Sequence, residues 1–217
     1  MTISPSPTAM QRLEDAEMAL AVIRESLNEA LAYKVKYNAE NHNICLAIVD
    51  FIGHSGVVLA AYSNDTAIPE SIRLGLNLVP NVYGLLPTGA RFGCDGMAQY
   101  HTEPKLLNYI CASPDIRQGA FQTPPLAEPR GVSHAFFQNL VEGQRRAARD
   151  AAARLLGPEH IHALTIVSEI DCCPTCLAYS IDRFRAIVPH AALDTIELGK
   201  TAGQRTPYQT VHVTRTP

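Results

Sequence analysis

From Leu13 onward, apolar residues return at every third or fourth position: Leu13, Ala16, Leu20, Ile23, Leu27 and Leu31. That spacing lays one apolar stripe along a helix, expected over 9–36, with Thr8 and Gln11 at capping-box spacing near its start. The pattern then changes. "NICLAIVDFIG" (43–53) and "GVVLAAYS" (56–63) are β-rich apolar runs joined through "GHSG", which predicts a hairpin of two core strands. Pro69, Pro80 and Pro87 punctuate the stretch 65–99, which leaves room for one short helix at 69–77. "HTEPKLLNYIC" (101–111) reads as a helix start. Pro104 suits its first turn, where the missing N–H costs nothing, and Leu106, Leu107 and Ile110 face inward.

Residues 112–132 are proline-rich and read as a long surface loop. Ser133 caps an expected helix over 134–156 that stops at "GPEH". "IHALTIVSEI" (161–170) is a buried strand, "PTCLAYSIDRFRAIV" the helix after it, and "ALDTIELGK" (192–200) a further strand. Alternation of strands and helices late in the chain predicts an α/β fold with helices packed on a sheet. The organisation is a flexible N-terminal tail (1–7) and one domain (8–200) with a Pro-rich loop and extra helix inserted at about 112–157. A polar C-terminal tail follows (201–217), with an edge strand at "YQTVHVT".

Composition narrows the function. The 217 residues are 47% hydrophobic and 18% charged, enough apolar material for one sizeable core. A formal charge of −3 and a pI of about 6.2 argue against a strongly basic nucleic-acid binder. No apolar run approaches the roughly 18 residues of a membrane span. The first residues show no basic-then-apolar leader, so a cytoplasmic protein is expected, with no membrane association. The six cysteines have no regular spacing outside 172–176 and read as reduced thiols, with Cys45 a small core residue.

Two motifs carry chemistry: His101-Thr102-Glu103 and Cys173-Pro174-Thr175-Cys176. Both fall at expected helix starts. One helical turn brings Cys173 and Cys176 to a point, and a helix N-terminus favours the metal-binding thiolate. His101 adds an imidazole. Three N/S ligands are one short of a closed structural zinc site, and a catalytic zinc keeps that position for water. Glu103, beside the metal, is placed to take the water's proton. Alone, the Cys-x-x-Cys is equally a redox pair or half of a zinc ribbon, although Cys45, Cys94 and Cys111 supply no second pair. A lone histidine before a helix is commonly a cap.

Together, in this order, the motifs resemble the H-x-E…P-C-x-x-C signature of the zinc-dependent cytidine deaminase superfamily. "HTEPKLL" and "SEIDCCPTC" look most like its bacterial toxin-type branch. The resemblance spans about 10–200 in element order and the two motifs in residue identity. It implies a three-layer cytidine-deaminase-like fold, a mixed five-stranded sheet flanked by helices, with the two zinc-bearing helices side by side. It implies Zn2+ held by His101, Cys173 and Cys176, Glu103 as general acid/base, and hydrolytic conversion of cytosine to uracil. The toxin-type likeness favours single-stranded DNA or RNA as substrate, an immunity or other partner protein, and delivery to other cells. A free nucleoside or nucleotide is the alternative substrate, and a non-catalytic zinc-stabilised interaction domain the alternative class. Two departures stand out. Cys172 occupies the usual proline position, and Cys172 with Cys176 would also share a helix face. The motifs are also further apart than in compact members of the family.

Weaker candidates flank these motifs. The resemblance gives Asn64, at the end of the second strand, a contact to sugar or pyrimidine; its bland reading is a turn residue. Tyr100 and Phe92 are candidates to stack on a base, and for both, burial in the core is the competing reading. Ser168 and Glu169 precede the cysteines as catalytic-site neighbours or structural partners. Arg145, Arg146, Arg149 and Arg154 give the inserted helix a basic side, either solvated or phosphate-binding. His160 and His162 are read as structural.

Overall fold

The computed structural model describes residues 7–31, 42–63, 70–87, 91–94, 100–121, 134–199 and 212–215, with the single positions 68, 89 and 96. The long first helix, α1, spans Pro7–Leu31. Strands β1 (Ile44–Phe51) and β2 (His54–Tyr62) pair antiparallel as a hairpin. Gly53 and Gly56 there adopt φ of 83° and 75°, a left-handed conformation that favours glycine. The Asp50 carboxylate accepts the Gly56 N–H at 2.7 Å and fixes the turn.

β1 explains the architecture. It is apolar at nearly every position, the pattern of a strand covered on both faces. Its alternate residues Cys45, Ala47, Val49 and Phe51 enter one buried cluster, and Ile44, Leu46 and Ile48 enter another. The second cluster is closed by the stripe of α1, with Ala16, Leu20 and Leu27 buried and Leu13 and Ile23 packed against it. The first is closed by α3 (Thr102–Cys111), through Leu106, Leu107 and Ile110.

On the other side of β1 lies β3 (Ile161–Ser168), antiparallel. The chain then crosses over through α6 (Pro174–Cys176), a π-helical turn (Leu177–Ile181) and α7 (Asp182–Ile187), and returns as β4 (Ala192–Glu197), parallel to β3. Ile181 and Phe184 of this crossover share the α3 side of the sheet. The result is a mixed sheet, β2-β1-β3-β4, flanked by helices. The segment His212–Arg215 (β5) adds antiparallel along the outer edge of β4.

Between the two motifs the sequence reading needed correction. The stretch expected as pure loop contains α4 (Pro114–Gly119), capped by Ser113, whose hydroxyl accepts from Ile116 N. Arg117 on α4 is fully buried. Its guanidinium donates to the carbonyls of Ile110, Leu155 and Leu156, at 3.2, 2.6 and 3.4 Å. It thereby satisfies carbonyls where α3 and α5 (His134–Arg154) end. Arg145 on α5 forms a buried two-pronged pair with Glu70 of α2 (Glu70–Gly75), with bonds of 3.0 and 2.6 Å. Arg149 meets Glu142 at 2.7 Å. Two of the four arginines read as a basic face are therefore engaged by carboxylates, one of them inside the fold. Arg146 and Arg154 are exposed.

Candidate metal centre

α3 begins where the chain leaves His101 in extended conformation (φ −86°, ψ 144°). The imidazole makes no capping bond to the helix. Its Nδ1 instead faces two thiols from the far side of the sequence, Cys176 Sγ at 3.1 Å and Cys173 Sγ at 3.6 Å. Those thiols are presented by the exit of β3. Cys173 is the N-cap of α6, Pro174 follows at the first helical position, and Cys173 Sγ accepts the Cys176 N–H at 3.3 Å. α3 and the π-helical turn pack against each other and hold the two motifs together.

The three ligand atoms lie within 4.8 Å of one another. The donor set fits a zinc ion. Imidazole and thiolate are its usual ligands, and bond lengths of about 2.0–2.3 Å put ligand atoms of a tetrahedral site roughly 3.5–3.8 Å apart; the His101–Cys173 separation of 3.6 Å falls in that range and the His101–Cys176 separation of 3.1 Å is shorter. Among the described residues no fourth His, Cys, Asp or Glu joins the group. Burial pushes the Cys176 thiol well above its ordinary range, and the nearby Glu103 charge and Cys173 push it further. A cation must displace the proton for Cys176 to ligate.

Glu103 sits in the first turn of α3 and is 2% exposed. Its Oε1 accepts from three side chains: Ser168 Oγ at 3.2 Å, Asn43 Nδ2 at 3.3 Å and Cys172 Sγ at 3.4 Å. Cys172 therefore stands apart from the three-donor group and faces the carboxylate. Burial first, then the Glu103 charge, raise its thiol far above the ordinary value, which keeps it a protonated donor. Asn43, the polar residue heading the β1 run, was not singled out in the sequence.

The remaining candidates separate cleanly. Tyr100, next to His101 in the chain, is 46% exposed. Phe92 is buried, tilted on Phe184 at a ring distance of 6.3 Å. Ser168 belongs to the Glu103 network. Glu169 is buried and paired with Arg24, which also donates to the His42 carbonyl at 2.7 Å. That pair clamps α1 to the end of β3 beside the site. Cys45 is a buried core residue. Asn64 lies outside the described residues. All six cysteines are free thiols, and among the described residues no helix is long and apolar enough to cross a membrane.

No protein-family model, no curated protein and no solved structure matches the chain. The reading of the site rests on its own donors and on the motif resemblance.

Proposed function

We propose that this chain is a zinc-dependent hydrolytic deaminase that converts cytosine and water to uracil and ammonia, on a cytidine-deaminase-like fold with β5 as the fifth strand. One observation carries the reading. Three N/S donors converge with one coordination position left over, and a buried carboxyl that is not one of them stands against the group. His101, Cys173 and Cys176 would hold the ion. Bound there, zinc lowers the pKa of a coordinated water towards about 7 and makes it a nucleophile at neutral pH. Glu103 takes a proton at its carboxyl and returns it to the departing amino group. Tyr100 lies along the base. A purely structural zinc would need no such carboxyl and normally has four protein ligands.

The motif resemblance favours cytosine in a single strand. The burial of Arg145 against Glu70 favours a second reading, free cytidine or its nucleotide, because it takes one of the four arginines of α5 out of reach of phosphates. Incubating the zinc-loaded protein with single-stranded oligonucleotides and, separately, with free cytidine tests both. Uracil with stoichiometric ammonia in either arm supports the deaminase, and the productive arm names the substrate. Zinc-loaded protein inert towards both rejects the deaminase in favour of a zinc-stabilised interaction domain.

A further inference from the structure

Glu103 needs a fixed orientation to move protons, and the side chain that fixes it comes from neither motif. Asn43 heads β1, held there from both sides. Its N–H donates to Ser63 Oγ at 2.8 Å, its carbonyl accepts from Ser63 N at 3.0 Å, and its side-chain Oδ1 accepts from Ile170 N at 3.1 Å. That leaves the amide Nδ2, with two protons, pointing into the site. It lies 2.8 Å from Thr102 Oγ1, 2.8 Å from Ser168 Oγ and 3.3 Å from Glu103 Oε1.

Counting protons shows how the network works. Two N–H groups serve three acceptors, so the two short bonds dominate and Glu103 receives a shared one. Ser168, accepting from Asn43, has a single hydroxyl proton. It divides that proton between the Ile170 carbonyl at 2.7 Å and Glu103 Oε1 at 3.2 Å. Asn43 thus acts on the carboxyl directly and by orienting Ser168. It also ties Thr102 and Glu103 of α3 to the exit of β3, which leads into the cysteines. Asn43, Ser168 and Cys172 all donate to one oxygen of the carboxyl, Oε1.

We propose that Asn43 is the positioning residue of the site: its amide, directly and through Ser168, fixes the orientation of the Glu103 carboxyl at Oε1. This rests on the deaminase reading for its catalytic consequence, but not for its geometry. Burial makes the arrangement sensitive, because removing one donor from an enclosed network leaves the others unpaired.

The test uses zinc-loaded Asn43→Ala and the near-isosteric Asn43→Asp, which keeps an acceptor for Ile170 N and replaces the donor with a carboxylate facing Glu103. Ser63→Ala is the control, since it touches only the backbone of residue 43. Crystal structures of the variants should show the Glu103 carboxyl displaced from Ser168 in both Asn43 variants and in place in Ser63→Ala. Turnover should fall by about 30-fold or more in kcat, with KM and zinc content unchanged. Where one Asn43 variant fails to fold, the other decides. A carboxyl that stays put overturns the proposal, as does a displaced carboxyl with kcat intact. If the wild type deaminates nothing, the functional reading fails separately, and displacement of Glu103 alone decides the role of Asn43.

Discussion

The imidazole Nδ1 of His101 and the thiol of Cys176, 75 residues apart in the chain, lie 3.1 Å apart in the fold. Neither belongs to a strand. Each sits at the start of a helix that packs on the same side of the sheet, so the site is built where two helix starts meet. That placement lets Glu103, two residues beyond the histidine, reach the group without joining it.

Replacing Glu103 tests that division of labour. Glu103→Gln keeps the shape of the side chain and should retain zinc while losing about 100-fold or more of turnover. Metal analysis and a deamination assay on the same sample check both halves. Loss of zinc together with activity would make Glu103 part of the metal's hold instead.

The inserted helix α5 offers two kinds of arginine, and they should respond differently. Arg145→Ala removes both short bonds to the buried Glu70 and leaves it the longer 3.5 Å contact to Arg73, and should cost about 3 kcal/mol of stability, read by denaturant unfolding. Its effect on any substrate should follow that loss of fold. Arg146→Glu with Arg154→Glu changes exposed charges only. If the substrate is a single strand, that double variant should weaken it, with a shallower dependence on salt than the wild type. An unchanged affinity and salt slope would remove α5 from the substrate path.

Two side chains of α3 make alkaline stability measurable. Burial pushes the Cys111 thiol from its ordinary 9.0 up to about 12, against the opposing Arg117 charge. Burial likewise pushes the Tyr109 phenol from 10.0 up to about 12, opposed by Arg117 and Arg73. Both groups are held neutral in the fold and ionise more readily once unfolded. Their contribution is complete below the unfolded values and lost as pH rises from about 9 to 12. Unfolding free energy should therefore fall across that window, and Tyr109→Phe with Cys111→Ala should flatten the fall. An identical slope in the double variant would assign the alkaline loss to other groups.

How much of this was legible beforehand depends on how local the signal is. The unbroken apolar run 44–51 announces a strand covered on both sides, and the three-and-four spacing of α1 announces its stripe; both are properties of single segments. Cys-x-x-Cys and His-x-Glu are likewise local, so their chemistry can be read without a fold. α4 was missed because the surrounding prolines mask a Ser113-Pro114 helix start that is itself a valid cap. Arg145 and Glu70 look like surface charge in sequence, since only the packing of α5 on α2 buries them together. Asn43 carries no motif at all. Its role exists only where the head of β1, the first turn of α3 and the end of β3 converge.

The most direct measurement is X-ray absorption at the zinc edge of the purified protein, with the metal content of the same sample. The expected result is about one zinc per chain, with two sulfur neighbours near 2.3 Å and two nitrogen or oxygen neighbours near 2.0 Å, one of them exchangeable with an added anion. A third sulfur, contributed by Cys172, would describe a closed structural site and contradict a catalytic centre. So would a metal-free protein prepared without chelator.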